Sequence, residues 1–294
     1  MAFERAKLML TESDPTPIEI SGPPIEVPEG VPFARPVSFE SGSPPSYRSA
    51  FFLDDISRKA AVCDVIILIL FVLCLEGLAA VAMGLSVPVE GPESPELRQK
   101  FLIPALGLRV LVCLTAIVVV LRARGQGLDA VGLQRVRLRS NLLLGFPTLG
   151  AAGVSILAAM SLVLVAFPSV QKRMVENARA LSDLVPMMST MGYLALMGLV
   201  GFYEELVFRG FILARLRRAT GSWVVAVAIS SVLFTLPHAA DQEWIALIPV
   251  AILAITFSLV TIWRRSIVPA IVAHALWNFG VVIYLRHILA GALS

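Results

Sequence analysis

The sequence predicts an all-α protein, a polytopic bundle of transmembrane helices that follows a disordered N-terminal tail. Two observations support this fold class. Hydrophobic residues make up 57% of the 294 residues and charged residues 15%, which is typical of membrane proteins and not of soluble domains. Apolar runs of about 20 residues, the length that crosses a bilayer as a helix, recur from residue 61 onward. The net charge of +3 gives no support for nucleic-acid binding.

The N-terminal region differs from the rest of the chain. Nine of the 19 prolines fall between Pro15 and Pro45, among Ser, Gly and Glu. Such a segment buries too little apolar surface to offset the entropy of ordering, so we predict that residues 1–55 form a disordered cytoplasmic tail. Residues 56–127 are predicted to form an N-terminal transmembrane hairpin, and residues 128–290 the core of the protein.

Seven apolar runs are predicted to span the membrane, with eight as the alternative count. Basic side chains lie at the end of the tail and in every second loop, which predicts a cytoplasmic N-terminus and an external C-terminus. The predicted location is an integral, multi-pass position in a membrane, the plasma (inner) membrane if the source is bacterial. Residues 169–184 have the pattern of a helix that lies on the outer membrane surface. The seven runs are 61–85, 101–121, 141–167, 187–213, 222–240, 244–262 and 266–285.

Some intramembrane charges are predicted to be structural. Glu76 in the first span and Arg109 in the second both fall ~12–13 Å below the outer surface at ~1.5 Å per residue. Because charges inside a membrane tend to pair, we predict a buried Glu76–Arg109 ion pair that joins these two helices. Asp64 is predicted to pair with Arg122 near the inner surface.

A second group of charges occurs in "GFYEELVFRG", residues 201–210, inside the fourth run. Glu205 and Arg209 are four residues apart, the spacing of an ion pair on one helix face. Glu204 points ~100° away from Glu205 and can meet a different neighbour. A charge in this position is costly in a bilayer, so it indicates a specific role.

Two of the three histidines lie in later spans, each with a partner on the same helix face. Phe234 and His238 are four residues apart in "FTLPH", and His274 and Asn278 are four apart in "HALWN". Moving a polar group from water into a bilayer costs free energy, and this cost must be compensated on each of the three spans. One shared water-filled cavity would compensate it for all three. The pattern therefore predicts a common site.

Two kinds of chemistry fit these residue types. A carboxylate and an imidazole that face one water are the parts of a general acid–base hydrolase, and a second His with an amide can stabilise an oxyanion. Alternatively, Glu204, His238 and His274 match the ligands of a catalytic zinc ion, which lowers the pKa of bound water. The residue types leave both mechanisms open.

The ordered set EExxxR, FxxxH and HxxxN in successive spans resembles the CAAX prenyl endopeptidase type II family, also called the CPBP or Abi family of intramembrane proteases. The resemblance covers roughly residues 128–285, beginning with "GLDAVGLQRVR", and makes residues 128–290 the catalytic core. The HExxH and GxSG motifs of other intramembrane proteases are absent from the sequence.

The resemblance implies a role for each motif residue. Glu204 would activate the attacking water with help from His238, and Glu205 would support the site by pairing with Arg209. Phe234 is counted as a further supporting residue. His274 and Asn278 would stabilise the oxyanion, or His274 would bind a metal.

The predicted function is therefore an intramembrane endopeptidase that hydrolyses a peptide bond of a membrane-associated or lipidated protein or peptide, as in CAAX processing. The predicted partners are that substrate and the lipid bilayer. No cofactor is assigned, and zinc stays the open alternative. The alternative function is a non-catalytic membrane protein of the same fold that binds a peptide or partner, or acts in bacteriocin self-immunity. A transporter is disfavoured because the chain shows no internal repeat.

The depths of the site residues disagree if every span is a straight helix. At ~1.5 Å per residue, Glu204 lies ~16 Å and His274 ~13 Å above the cytoplasmic edge, whereas His238 lies ~24 Å above it. A tilt of the fifth span, an edge misplaced near Trp223, or a break at Pro237 is needed to bring the three together.

Overall fold

Helices make up the regular secondary structure of the described residues in this computed structural model, which confirms the all-α prediction. The structure describes residues 51, 53, 55–86, 95–240 and 242–289. All of these residues belong to one compact unit. The predicted disorder of residues 1–50 lies outside the described residues.

The α-helices of the described part follow each other with short connections. They are α1 (Arg58–Ser86), α2 (Pro95–Ala123), α3 (Leu138–Ala166), α4 (Val170–Leu184), α5 (Thr190–Glu205), α6 (Leu213–Thr220), α7 (Trp223–Thr235), α8 (Leu247–Arg264) and α9 (Val268–Ile283). Single 3-10 turns cover Leu128–Val131, Leu236–Ala240 and Trp244–Ala246, and π-helical segments cover Leu206–Ile212 and Tyr284–Leu289.

Five helices of the described part are long and apolar enough to cross a membrane, which fits an integral multi-pass protein. They coincide with the second, third, fifth, sixth and seventh predicted runs. The first run is helical within α1, and the fourth consists of α5, which has 16 residues, and the π-helical segment after it. The count of seven spans and their orientation stay predictions. The five candidate spans are Ile103–Ala123, Leu138–Ala166, Trp223–Ala240, Trp244–Arg264 and Val268–Arg286.

Local sequence explains where the site-bearing helices begin and end. Ser189 caps α5, because its side chain accepts a hydrogen bond from the Gly192 amide. Ser222 caps α7 in the same way through the Val225 amide. Between α6 and α7 the chain reverses at Gly221, whose φ of 75° is a left-handed conformation that favours glycine.

Close contacts between helices place α5 and α3 against α9. A Cβ atom added to Gly201 of α5 would lie 2.9 Å from the Ala275 amide nitrogen of α9. A Cβ atom on Gly145 of α3 would overlap two side-chain carbons of Val272 on α9. Small residues at these crossings let the backbones approach, as is common in membrane bundles. The Gly201 crossing brings the end of α5 next to the middle of α9.

The N-terminal boundary of the folded part lies earlier than predicted. Phe51 and Leu53, which the sequence assigns to the disordered tail, are buried in the hydrophobic core. The Phe51 ring stacks on Trp223, with ring centroids 6.3 Å apart. These two apolar side chains follow the proline-rich stretch and bury enough surface to pack. The predicted surface helix at 169–184 is present as α4, and its place on a membrane surface stays a prediction.

Asp64 of α1 has partners other than the predicted Arg122. Its Oδ1 accepts from Arg124 at 2.8 Å, and its Oδ2 accepts from Arg215 at 3.1 Å. Arg124 lies in the turn after α2, from which its side chain reaches back to α1, whereas Arg122 is exposed on the last turn of α2. Gln126 completes this group by accepting from Arg215 at 3.1 Å. We call Asp64, Arg124, Gln126 and Arg215 the anchor cluster.

Attraction between one carboxylate and two guanidinium groups holds the anchor cluster together. Burial lowers the pKa of the Arg215 guanidinium to about 10, while Asp64 opposes that shift. Asp64 also raises the pKa of Arg124 by a hydrogen bond and by its charge. Both cations therefore stay charged at neutral pH beside one carboxylate. The predicted Glu76–Arg109 pair stays a prediction, because the Glu76 side chain is outside the described part of the structure.

Candidate active site

The "EELVFRG" segment lies where α5 passes into the π-helical segment Leu206–Ile212. Glu204 and Glu205 are the last residues of α5, and Arg209 lies within the wider turn. Single π-helical turns inside α-helices frequently occur at functional sites. The Ser230 hydroxyl of α7 donates to the Phe208 carbonyl at 3.1 Å, which supplies that backbone oxygen with a partner.

Glu205 is fully buried and binds two cationic or donor side chains through one oxygen. Its Oε1 accepts from Arg209 Nη1 at 2.8 Å, so the predicted ion pair is present. The same Oε1 accepts from His274 Nδ1 at 2.7 Å. This second contact joins α5 to α9, and the sequence did not predict it.

His274 lies between the two glutamates. A carboxylate oxygen accepts hydrogen bonds, so the contact with Glu205 places a proton on Nδ1 and fixes the ring orientation. On the other side of the ring, Nε2 faces Glu204 Oε2 at 3.6 Å. The ring packs against Phe234 and Phe257, with centroid distances of 5.9 and 5.6 Å. These contacts hold His274 in one position.

Glu204 has a different environment from Glu205. Its side chain is 15% exposed, whereas that of Glu205 is 0% exposed. Its Oε1 accepts a hydrogen bond from the Tyr203 hydroxyl at 3.1 Å. Glu204 therefore shares His274 with Glu205 but also binds Tyr203, and it is the more exposed of the two glutamates.

Phe234 forms the apolar wall of the site. The Arg209 guanidinium lies 4.1 Å from the centre of its ring, a cation–π contact that helps to keep a buried charge in place. The ring also contacts the His238 and His274 rings, at centroid distances of 5.3 and 5.9 Å. A single buried side chain thus touches residues of all three motifs.

His238 lies beyond the end of α7, in the 3-10 turn Leu236–Ala240. The α-helix ends at Thr235, before Pro237, so the straight-helix assumption behind the depth disagreement does not hold for His238. Its Nδ1 donates to the Phe234 carbonyl oxygen at 3.0 Å, because a carbonyl can only accept. In the tautomer with its proton on Nδ1, the other nitrogen, Nε2, is free to accept a hydrogen bond.

The structure brings five of the predicted residues into direct contact. These are Glu204, Glu205, Arg209, Phe234 and His274. His238 joins them through Phe234, and Asn278 lies one helical turn after His274 on α9, half-buried.

Two neighbours of the site were missed by the sequence reasoning. Tyr203 directly precedes the glutamate pair, so its position beside EExxxR could have indicated that it contacts the site. Phe257 belongs to α8, where one aromatic residue in an apolar run gives no local sign that it packs on His274.

The zinc alternative requires three ligand side chains that are close enough to share one metal ion. Within the described residues, no three His, Cys, Asp or Glu side chains are grouped so that they could hold a metal ion. His274 Nδ1 is bound to Glu205 at 2.7 Å, which leaves only Nε2 for a further partner. The zinc alternative with Glu204, His238 and His274 stays a prediction.

Comparison with known proteins points to the same part of the chain. Residues 186–280 match a protein-family model described as type II CAAX prenyl endopeptidase, Rce1-like. This stretch contains all three motifs and every residue of the site described above. The chain has no significant match among curated proteins or solved structures. The match supports a membrane protease of this family. The predicted family is thus confirmed, because residues 186–280 carry an Rce1-like type II CAAX prenyl endopeptidase domain.

Proposed function

We propose that the protein is an intramembrane endopeptidase in which Glu204 activates the attacking water. The observation that supports this assignment is the contrast between the two glutamates. Glu205 is 0% exposed and holds Arg209 and His274, whereas Glu204 is 15% exposed and has one oxygen that faces His274 Nε2 at 3.6 Å. Of these two glutamates, Glu204 is the one that combines contact with His274 and partial exposure.

In the proposed reaction, Glu204 accepts a proton from the water whose oxygen attacks the scissile carbonyl carbon. His238 Nε2 is the second acceptor for that water, since its Nδ1 is occupied by the Phe234 carbonyl. The proton then passes to the leaving amide nitrogen as the carbon–nitrogen bond breaks.

The remaining residues stabilise charge. His274 and Asn278 lie on one face of α9 and are proposed to donate to the oxyanion. With Nδ1 bound to Glu205, His274 donates from Nε2 only when that nitrogen also carries a proton. Arg209 in turn balances Glu205 and is held by the Phe234 ring.

The proposed substrate is a membrane-associated or lipidated protein or peptide, by analogy with CAAX processing, in which the last three residues after a prenylated cysteine are removed. We further propose that the N-terminus is cytoplasmic and that the site opens toward the cytoplasmic half of the bilayer. A lipid chain on the substrate would keep the scissile bond at the membrane depth of Glu204.

The test is proteolysis of a farnesylated peptide with a CAAX end by the purified full-length protein in lipid vesicles. We expect Glu204→Gln and His238→Gln to lower kcat/KM by about 10²- to 10⁴-fold, the usual loss for a general acid or base. Asn177→Ala on α4 is the control, because its amide binds the Glu243 backbone and not the site. Wild-type activity in Glu204→Gln would refute the proposed function. Peptide binding without cleavage by the wild-type protein would support the non-catalytic alternative.

A zinc chelator in the same assay separates the two mechanisms. Water activation by Glu204 and His238 requires no metal ion, so we expect the wild-type rate to be unchanged. A loss of activity that added zinc restores would instead support metal binding by Glu204, His238 and His274.

A further inference from the structure

Two arginine side chains from different helices converge on the turn between α6 and α7. Arg58 is the first residue of α1, and Arg217 lies in the last turn of α6. The Nη2 atom of Arg58 and the Nη1 atom of Arg217 each lie 3.8 Å from the position that a Cβ atom of Gly221 would occupy. Two atoms that share this distance from one point are at most twice that distance apart. The two guanidinium groups therefore border the same small space beside the turn.

Packing of the fold brings these two positive charges together. Two residues before Arg217, the buried Arg215 binds Asp64 of α1 at 3.1 Å in the anchor cluster. This contact holds α6 against α1, and the end of α6 then lies beside the start of α1. Like charges this close repel each other. An anion between the two guanidinium groups turns that repulsion into attraction toward a shared partner.

Among the residues that the structure describes, neither guanidinium group has a carboxylate partner. No ion pair in this part of the chain includes Arg58 or Arg217. The Asp55 carboxylate, three residues before Arg58, accepts from the Gln126 amide at 3.2 and 3.4 Å. Arg217 is half-buried, and its Nε is buried without a hydrogen-bond partner in the described structure. The charge of Arg217 is therefore neither paired nor fully open to water.

The two arginines lie just outside the end of a candidate membrane span. Trp223, two residues after Gly221, is the first residue of the span Trp223–Ala240. The Arg217 guanidinium lies 5.5 Å from the centre of the Trp223 ring. Tryptophan is enriched at membrane–water interfaces, where its ring lies at the level of the lipid headgroups. Lipid phosphates are the anions that are concentrated at this level.

We propose that Arg58 and Arg217 form a binding site for the phosphate of an anionic phospholipid. A guanidinium group binds phosphate oxygens at about 2.7–2.9 Å, often through two parallel hydrogen bonds, so one phosphate between the two groups contacts both. Gly221 keeps this space accessible, because a longer side chain there would project between the guanidinium groups. The lipid thereby connects the start of α1 to the end of α6. The site is separate from the proposed catalytic function and does not depend on it.

The test is binding of short-chain phosphatidylglycerol to the delipidated full-length protein in neutral detergent, measured by titration calorimetry. Arg58→Gln and Arg217→Gln should each weaken binding about fivefold, the usual contribution of one arginine at an anionic lipid surface. The double variant should weaken binding about 25-fold, because the two effects multiply. Wild-type affinity in the double variant would overturn the proposal.

Arg139→Gln is the matched control for overall charge. Arg139 is exposed on the first turn of α3, so this variant removes one exposed guanidinium group from another helix start. We expect it to bind phosphatidylglycerol with wild-type affinity. A loss as large as that of Arg217→Gln would mean that the lipid responds only to the net positive charge, which would overturn the proposed site.

A pair of variants at Gly221 tests the space between the arginines without removing either of them. Gly221 has a φ of 75°, and Asp and Asn are the side chains that best tolerate this left-handed conformation. Gly221→Asp places a carboxylate beside both guanidinium groups, so it should weaken phosphatidylglycerol binding at least tenfold by taking the place of the phosphate. Gly221→Asn has the same shape and the same backbone strain but no charge, and it should lose less. Equal affinities of these two variants would contradict the proposal.

Two other ligands identify what the site recognises. Phosphatidylcholine carries its phosphate next to a positive choline group, so it should bind several-fold more weakly than phosphatidylglycerol. Inorganic phosphate should bind more weakly still, because it lacks acyl chains that hold it at the membrane surface. Equal affinity for phosphatidylcholine would show that headgroup charge is not recognised and would overturn the proposal. Equal affinity for inorganic phosphate would assign the site to a soluble anion, and the lipid assignment would then be wrong.

Discussion

The molecule contains two buried charge clusters built from similar residue types, and they use their carboxylates differently. In the anchor cluster, both oxygens of Asp64 bind guanidinium groups, from Arg124 and Arg215. In the site, one oxygen of Glu205 binds both Arg209 and His274. The anchor cluster joins α1 to the start of α6, and the site joins α5 to α9.

The unused hydrogen-bonding capacity differs in the same way. Among the described residues, Glu205 Oε2 and two nitrogens of Arg209 are buried without a hydrogen-bond partner. The anchor cluster leaves a single buried nitrogen of Arg215 without one. Buried polar groups are normally paired, so each exception calls for an explanation, and a catalytic role is one of them. We infer that both oxygens of Asp64 serve to stabilise the fold. In the site, by contrast, atoms of Glu205 and Arg209 keep hydrogen-bonding capacity that the fold does not use.

The largest effect on stability is expected for Asp64→Asn. The amide has nearly the shape of the carboxylate. However, its NH₂ group is a donor that must face one of two guanidinium donors, so one hydrogen bond is lost. The negative charge that balances Arg215 is lost as well. Breaking a buried ion pair in this way typically costs about 3–5 kcal/mol. The measurement is the free energy of unfolding from SDS titration in mixed micelles, with activity expressed per folded molecule.

Glu204→Gln is the matched counterpart at the site. It makes the same chemical change in a carboxylate that is partly exposed, so its unfolding free energy should change by about 1 kcal/mol or less while activity is lost. The two clusters would not differ in role if Asp64→Asn were as stable as the wild type, or if Glu204→Gln unfolded as easily as Asp64→Asn.

A smaller loss of stability is expected for Glu205→Gln. Its Oε1 can still accept from Arg209 and His274, and the NH₂ group can take the place of Oε2, which binds no donor among the described residues. The loss of charge next to Arg209 remains, so we expect a decrease of about 1–3 kcal/mol in the same unfolding assay. Asp64→Asn is the direct comparison. Equal losses in the two variants would mean that the free oxygen of Glu205 does not distinguish the clusters.

The sequence predicted the parts of the site that depend on spacing within one helix. The Glu205–Arg209 pair follows from helical geometry and is present in the structure. Glu204 differs from Glu205 by its bond to Tyr203, although both glutamates face His274. The ordered motifs also identified the family. Each of these inferences requires only positions along the chain.

Contacts between distant helices could not be predicted in this way. The His274–Glu205 hydrogen bond joins residues 69 positions apart and depends on the close approach of Gly201 to Ala275. Asp64 was assigned to Arg122 by membrane depth alone, whereas its partners come from the turn after α2 and from α6. The π-helical segment has no local signature in the apolar run. The fold arranges these contacts through packing that is not encoded in any one segment.

The smallest effect is expected for Arg124→Gln, and it separates two roles within the anchor cluster. The Arg124 side chain is 34% exposed, whereas that of Arg215 is 0% exposed, although both bind Asp64. Solvent screens the Arg124 pair, so its removal should lower the unfolding free energy by about 1 kcal/mol or less. Arg215→Gln removes the fully buried partner and should cost several-fold more.

Salt dependence gives a second readout for the same comparison. The Debye length shrinks to about 3 Å at 1 M salt, which screens exposed charges far more than buried ones. The difference in unfolding free energy between Arg124→Gln and the wild type should therefore decrease in high salt. The corresponding difference for Arg215→Gln should persist. A loss in Arg124→Gln that equals that of Arg215→Gln and does not respond to salt would contradict this division. Asp64 would then depend equally on both guanidinium groups, and burial would not decide which of its two partners contributes more to stability.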